Sequence, residues 1–277
     1  MPAFYSPSGL DPSKAKSATR ILAIGAHPDD LEFMCLEPIA RSAAQSCFGG
    51  LIVTSGSGSI RSARHVKLSA IDYAEVRWDE QKTAARLGHY AFVDSLNFES
   101  ADLNERVKYL ELVASLRDYL TGFTLDELYL HQPFDRHASH VRVCFAVLEA
   151  LRQLPLSKRP AKILGCEVWR NLDWAPKSSK LFRPLGPREL ELQKKLAGIF
   201  VSQADPATAK NYVEALVGRK TSNAVFQEGL TADAGKAQEV YLDLGPWVSS
   251  DLSWLELGNK VLEEFKTEAT SQWPLKV

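Results

Sequence analysis

Two short clusters of histidine and aspartate side chains offer the clearest chemistry in this sequence. The first cluster is AHPDD at 26–30, and the second is DRHASH at 135–140. Imidazole nitrogens and carboxylate oxygens are zinc ligands, and a catalytic zinc site uses three protein ligands and keeps one position open for water. Four side chains are therefore candidate metal ligands: His27, Asp30, His137 and His140.

The spacing within each cluster allows its members to converge. His137 and His140 are three residues apart at the start of a predicted helix, so they share one helix face. His27 and Asp30 are also three apart, in a turn that contains a proline. Asp29 is then a surplus carboxylate, which can act as the base that a metal-activated water needs. HPDD alone would suit an ordinary helix start, and His-x-x-His alone is common on helix surfaces, so only their combination favours a metal site.

Both clusters follow predicted β-strands. Apolar runs alternate with helical patterns, which predicts an α/β fold with a mostly parallel sheet and helices on both faces. The predicted strands are 21–26, 51–56, 90–96, 126–132 and 162–169. The predicted helices are 33–45, 74–88, 104–120, 140–154, 186–200 and 205–216. Because parallel sheets bind ligands at the carboxyl ends of their strands, we expect the two clusters to meet at that edge.

The pattern predicts a single domain with a C-terminal extension. Residues 1–19 are polar and rich in proline and serine, and we expect a loosely ordered lead-in there. Residues 20–205 carry the alternating pattern and form the predicted core. Residues 206–277 are predicted to be a helical or irregular extension that packs on this core.

The composition excludes several classes of protein. The 277 residues include 33 Lys+Arg and 34 Asp+Glu, for a net charge of −1, and 45% are hydrophobic. This balance argues against disorder and against nucleic-acid binding through bulk positive charge. The apolar runs are far shorter than the ~20 residues of a membrane span. The N-terminus has no apolar signal region and the four cysteines are scattered, so we expect a cytoplasmic protein with reduced thiols.

In its motifs the chain resembles the PIG-L/LmbE deacetylase family. The most specific part is AHPDD after the first strand, joined by D-x-H-x-x-H at 135–140. Further similar segments extend the resemblance over residues 20–205: VTSG at 53–56, RWDE at 77–80, KK at 194–195 and SQ at 202–203. The resemblance implies a zinc-dependent enzyme on a Rossmann-like fold that removes acetyl groups from amino sugars of the N-acetylglucosamine type.

The resemblance also implies a role for each residue of the site. It gives three zinc ligands: His27, Asp30 and His140. Asp29 would be the general base, and His137 would stand beside the developing oxyanion as a cation or a hydrogen-bond donor. Arg77 would contact hydroxyl groups of the substrate. His131 is expected outside the ligand set, as a satisfied histidine near it.

One position departs from the family pattern. Ser139 stands where the family usually has an aspartate that would orient His137. We expect Asp135 to take over that task, and we group it with Arg77 in the substrate-binding part of the site. A basic insertion at 60–73 could line the pocket or act as a lid. Its cations are either solvated or contacts for an anionic group on the substrate: Arg61, Arg64 and Lys67.

These observations predict a metal-dependent hydrolase that removes an N-acetyl group from an amino sugar or its conjugate. Zinc is the first choice of metal, and iron(II) or cobalt(II) also suit two histidines and a carboxylate. The only partner predicted is the small-molecule substrate, and the sequence leaves open whether the chain forms a homo-oligomer. Two alternatives remain at this stage. One is a sugar-phosphate or nucleotide-sugar binding module that uses the SGSGS loop at 55–59, and the other is a zinc-dependent ester deacetylase.

Overall fold

One seven-stranded sheet organises the chain, in the strand order β3-β2-β1-β4-β5-β7-β6. The computed structural model describes residues 4–203, 211–227 and 237–274. The strands are β1 Ile21–Gly25, β2 Phe48–Thr54, β3 Phe92–Phe98, β4 Glu127–His131, β5 Lys162–Cys166, β6 Lys180–Leu185 and β7 Ala237–Asp243. The first five strands pair in parallel, as predicted, whereas β7 runs antiparallel to both β5 and β6.

Ten α-helices surround the sheet in the described part of the chain. They are α1 Pro12–Ala18, α2 Asp30–Met34, α3 Leu36–Ser42, α4 Ala70–Leu87, α5 Arg106–Thr121, α6 Ala138–Arg152, α7 Pro187–Ala197, α8 Tyr212–Phe226, α9 Gly245–Ser249 and α10 Trp254–Ser271. Short 3-10 helices lie at Asp102–Asn104, Leu156–Lys158 and Lys177–Ser179. No described helix is both long enough and apolar enough to cross a membrane.

Both faces of the sheet are covered, which confirms the predicted α/β architecture. In β1, Leu22 and Ile24 pack with the buried residues of α5 and α6 on one face. Ile21 and Ala23 pack with the buried residues of α2, α3 and α7 on the other face. The strand is therefore buried along its whole length, which is typical of a central parallel strand.

Two predicted segments differ from the structure. The single helix expected at 33–45 is broken at Cys35, where φ is −130° and ψ is 38°. The break places Pro38 in the first turn of α3. The N–H groups of a first turn have no acceptor within the helix, so the proline removes no helical hydrogen bond there. The lead-in also contains a helix, because Asp11 accepts a hydrogen bond from the Lys14 N–H and so caps α1. The first part of the helix expected at 205–216 lies outside the described residues.

The C-terminal third is more closely integrated than the pattern predicted. Strand β7 belongs to the expected extension, yet it lies inside the sheet between β5 and β6. Its register pairs Leu164 with Asp243 and Lys180 with Leu242. The extension therefore contributes a strand as well as helices, and the sheet is continuous from the predicted core into it.

Candidate active site

The two motif clusters meet where the strand order changes direction. From β1 the chain continues outward through β2 and β3, and it then returns to place β4 on the other side of β1. A crevice at such a switch point is the usual ligand site of an open parallel sheet. AHPDD leaves the carboxyl end of β1 there, and the loop after β4 carries the second cluster into α6.

Asp30 lies at the centre of the cluster and contacts both predicted histidine ligands. Its Oδ1 is 3.3 Å from His140 Nε2, and its Oδ2 is 3.4 Å from His27 Nδ1. The His27 backbone N–H also donates to Asp30 Oδ2 at 2.7 Å. A ring nitrogen of His27 lies within 4.8 Å of one of His140. The three predicted ligands are thus neighbours in pairs, but each group of three whose donor atoms all lie within 4.8 Å of one another contains only two of them.

The donor atoms of this cluster fit a divalent metal ion. Two groups of three side chains each place one donor atom per residue within 4.8 Å of the others: His27, His137 and His140, and Asp30, His131 and His140. Imidazole nitrogen and carboxylate oxygen are the donors that zinc takes in catalytic sites. Although burial opposes it, the neighbouring His140 and His131 hold the pKa of Asp30 well below its usual range. Asp30 is therefore an anion. Although burial opposes it, Asp30 and Asp135 raise the pKa of His140 to about 9, so a bound metal ion would have to displace the proton from that ring.

Asp135 supports a different histidine from the one expected. Its Oδ2 lies 3.2 Å from His140 Nδ1, on the far side of that ring from Asp30. The Asp135 side chain is fully buried and does not border the cavity, so the structure does not bring it to where the expected contact with substrate would lie. Asp135 does not contact the His137 ring that it was expected to orient, since its contact with His137 is through the backbone N–H, at 3.5 Å. Within the described residues, His137 Nδ1 is buried without a hydrogen-bond partner.

His131 is part of the cluster, more closely than the sequence suggested. It ends β4, it is fully buried, and its Nε2 lies 3.2 Å from Asp30 Oδ2. The same nitrogen accepts the Ala26 N–H at 3.0 Å. Its ring stacks on His140 with 3.8 Å between the ring centroids. In the sequence, the feature that could have identified His131 as a site residue was its position at the carboxyl end of a predicted parallel strand.

Asp29 is held in a strained backbone conformation beside this cluster. Its φ is 101°, in the left-handed region that costs a non-glycine residue about 1–3 kcal/mol. The Asp29 N–H donates to Gln81 Oε1 at 3.1 Å, and its Oδ2 accepts from Arg77 Nη2 at 2.9 Å. Burial raises the pKa of Asp29 to about 7, against the opposing charge of Arg77. A carboxylate of this kind can take up and release a proton near neutral pH.

Arg77, expected to contact substrate hydroxyls, pairs with Asp29 in the structure. The side chain is buried, and besides Asp29 it donates to the Pro28 carbonyl and to Ser59 Oγ. It does border the cavity. Glu80, three residues on, does not pair with Arg77, because it accepts the Ser202 N–H at 2.8 Å and the Ser202 hydroxyl. Arg77 thus fixes Asp29 from α4.

His137 is neutral in this setting. Burial, followed by the nearby His140 and His27, lowers the pKa of His137 to about 4. Its ring packs near Trp169, with 6.3 Å between centroids and 23° between the planes. A neutral imidazole retains one N–H, so His137 can still donate a hydrogen bond into the cavity that it lines.

A cavity of about 690 Å³ opens over the cluster, within the 300–1,000 Å³ usual for small-molecule sites. Six apolar side chains from outside the two motif clusters also line it: Phe33, Ile60, Val168, Trp169, Ala215 and Leu216. Helix α8 forms one wall, although it lies beyond the region of resemblance. Of the basic insertion, Ile60 borders the cavity, whereas Arg61 lies over the Tyr73 ring at 5.0 Å.

Comparison with known proteins agrees with the geometry. Residues 22–151 match the family described as PIG-L, GlcNAc-PI de-N-acetylase. An uncharacterized deacetylase, YaiS, from Escherichia coli K12 is 28% identical over 162 residues, which cover 56% of this chain and 77% of that protein.

Solved structures share the fold at low sequence identity. The N,N'-diacetylchitobiose deacetylase from Pyrococcus horikoshii superposes with a TM-score of 0.63 at 18% identity, over 91% of this chain and 93% of that one. The 4-carboxy-2-hydroxymuconate hydratase from Pseudomonas putida KT2440 has a TM-score of 0.61 at 16% identity, over 85% of this chain and 100% of that one. The fold alone therefore does not fix the reaction. The chain is thus similar to the PIG-L family over residues 22–151, and the deacetylase relative agrees with that similarity.

Proposed function

We propose that this chain is a metal-dependent deacetylase of the PIG-L type that removes the acetyl group from the nitrogen of an amino sugar or its conjugate. One observation carries the proposal. Asp29, with a pKa near 7, lines the same cavity as a His27–Asp30–His140 group whose donor atoms suit a divalent metal. The deacetylase names of the family and of the E. coli relative support amide hydrolysis.

The proposed metal ligands are His27, Asp30 and His140. When bound in such a set, zinc polarises a carbonyl oxygen and lowers the pKa of water to about 7. Asp135 would hold His140 from its other ring nitrogen, which fixes the ring orientation and raises the basicity of the ligand. Iron(II) and cobalt(II) suit the same donors, and elemental analysis of the purified protein would distinguish them from zinc.

Asp29 is the proposed general base. Arg77 occupies its Oδ2, which leaves Oδ1 to take a proton from water. The same carboxyl group can then return that proton to the leaving amine, because a pKa near 7 allows both transfers at neutral pH. The Gln81 contact and the left-handed backbone fix the carboxylate before substrate arrives.

His137 is the proposed donor to the carbonyl oxygen as negative charge develops there. It stands beside the ligand cluster, with its ring centroid 4.6 Å from that of His140 and 5.0 Å from that of His27. Because its pKa is about 4, it would act as a neutral hydrogen-bond donor rather than as an imidazolium. Preorganised donors of this kind are typically worth about 10²–10³ in kcat.

The test is a deacetylation screen with metal-loaded and metal-depleted protein. The panel contains N-acetylated amino sugars, each paired with an O-acetyl ester, and the readout is the release of acetate and of free amine. We expect amide turnover that chelation abolishes and that added zinc, iron(II) or cobalt(II) restores. Faster turnover of the esters would indicate an ester deacetylase. Full turnover of amides after complete metal removal would contradict the proposed role of the metal.

A further inference from the structure

We propose that the cavity recognises an anionic group, a phosphate or a carboxylate, on its sugar substrate through Arg136 and Arg219. The inference rests on the proposed deacetylase function and narrows its substrate class. Both arginines line the same cavity as His27, Asp29 and His140. The cavity has mostly apolar walls, so two cations in it call for an explanation.

Arg219 is a half-buried cation that forms no direct ion pair with a described carboxylate, although the charge of Glu167 lies nearby. It projects from α8, and its Nη1 donates to the Val168 carbonyl. Among the described residues, no carboxylate oxygen lies within 4.0 Å of its guanidinium. The nearby Glu167 is committed elsewhere, because it accepts the Asn223 amide at 2.7 Å and the Leu172 N–H at 2.6 Å. Glu167 therefore compensates the Arg219 charge only from a distance, and a bound anion in direct contact would offset more of the cost of its partial desolvation.

Arg136 offers a second guanidinium beside the proposed oxyanion donor. It directly precedes His137, its side chain is exposed, and within the described residues it forms no ion pair. Its backbone N–H donates to Asp135 Oδ1, which anchors the loop and leaves the side chain free to turn toward a ligand. A planar guanidinium binds phosphate or carboxylate oxygens in pairs, which gives both affinity and orientation.

The other charges that line the cavity are already compensated. Arg77 pairs with Asp29 at 2.9 Å, and Asp30 contacts three histidines at 3.2–3.4 Å. The basic insertion offers no rival site in the cavity, since neither Arg64 nor Lys67 lines it. We therefore assign the binding of an anionic substrate group to Arg136 and Arg219, which come from different parts of the chain, and not to the basic insertion at 60–73.

The test compares neutral and anionic sugars on metal-loaded protein. The probes are N-acetylglucosamine, its 1-phosphate, its 6-phosphate and N-acetylmuramic acid, which carries a carboxylate. We expect an anionic sugar to have a kcat/KM and a calorimetric affinity at least about tenfold above those of N-acetylglucosamine. Arg136→Gln and Arg219→Gln should each reduce that preference several-fold, and the double variant should abolish it. Arg64→Gln, in the basic insertion, is the matched control and should retain the preference.

The result separates this inference from the proposed function. Equal kcat/KM and affinity for neutral and anionic sugars, unaffected by the two substitutions, would overturn the inference and leave deacetylation standing. Tight, arginine-dependent binding of a phosphorylated sugar without acetate release would support the inference and contradict the proposed reaction. A preference for the phosphates over N-acetylmuramic acid would identify the anion as phosphate, and the reverse order would identify it as carboxylate.

Discussion

The Asp29–Arg77 pair links the proposed base to a helix that is distant in sequence. The two residues are 48 positions apart, and their 2.9 Å contact is almost fully buried. Neither the pairing nor the left-handed backbone of Asp29 has a signature in the sequence. The type and spacing of AHPDD predicted which residues gather, whereas the direction of each side chain depends on tertiary contacts.

Arg77→Ala should lower kcat/KM by about ten- to a hundredfold, because a buried charge-assisted hydrogen bond to the base is worth about 1.5–3 kcal/mol. The bound metal should remain, since Arg77 touches none of the proposed ligands. Steady-state kinetics with metal analysis checks both. Arg86→Ala, on the exposed face of the same helix, is the control. Unchanged kinetics would remove Arg77 from the catalytic machinery.

Asp135→Asn tests the support of His140. The amide retains the shape but withdraws the negative charge that lies 3.2 Å from His140 Nδ1. Partners of this kind typically affect metal affinity about 10–100-fold, so we expect a loss of that size. Competition with a chelator of known affinity measures it. A metal affinity equal to that of the wild-type protein would show that Asp135 stabilises the loop before α6 without affecting the metal ligand His140.

At the scale of elements, helix α2 carries the site on a short, deeply buried turn. Periodicity predicted one helix from 33 to 45 because it cannot detect a break supported from elsewhere. Glu239, in β7, accepts the Leu36 N–H at 3.0 Å and the Glu37 N–H at 2.8 Å, and so caps α3 from 200 residues away. The break lets α2 keep Asp30 and Phe33 at the cavity while α3 packs on the sheet.

Glu32, also in α2, should make stability depend on pH. Burial raises its pKa from 4.5 to about 8, although Tyr90 and Gln81 donate to its carboxylate. Between these two values the folded chain binds a proton that the unfolded chain releases. Stability should therefore fall as pH rises, by at most about 1.4 kcal/mol per pH unit from this group.

Glu32→Gln should flatten that fall. Urea unfolding at several pH values between 5 and 8 gives the slope for the wild-type protein and the variant. Glu75→Gln changes an exposed carboxylate of α4 and should leave the slope as it is. Equal slopes for the Glu32 variant and the wild-type protein would mean that Glu32 is ionised in the fold.

At the scale of the whole molecule, the C-terminal third completes both the sheet and the cavity. Local alternation and motifs predicted the first five strands and the meeting of the two clusters. They could not predict β6, β7 or the α8 wall, because these depend on pairings such as Leu164 with Asp243 that leave no local pattern. The family resemblance ended at 205, so it offered no help there either.

A buried ion pair ties this third to the site. Lys220 in α8 lies 3.2 Å from Glu239 and donates to the Phe33 carbonyl at 3.2 Å. Lys220→Met should destabilise the protein by about 3–5 kcal/mol, because it leaves Glu239 buried and uncompensated. The double variant Lys220→Met/Glu239→Gln should recover part of that loss. Denaturant unfolding measures both, and a Lys220 variant as stable as the wild-type protein would contradict the coupling.

The most direct test of the proposed mechanism measures bound metal and acetate release together in Asp29→Asn and Asp30→Ala. We expect Asp29→Asn to keep the metal content of the wild-type protein and to lose about 10²–10⁴-fold in turnover, because an amide cannot take the proton. Asp30→Ala should lose the metal and the turnover together. Equal metal loss in both variants, or an Asp29→Asn protein that deacetylates at the wild-type rate, would contradict the assignment of Asp29 as base and Asp30 as ligand.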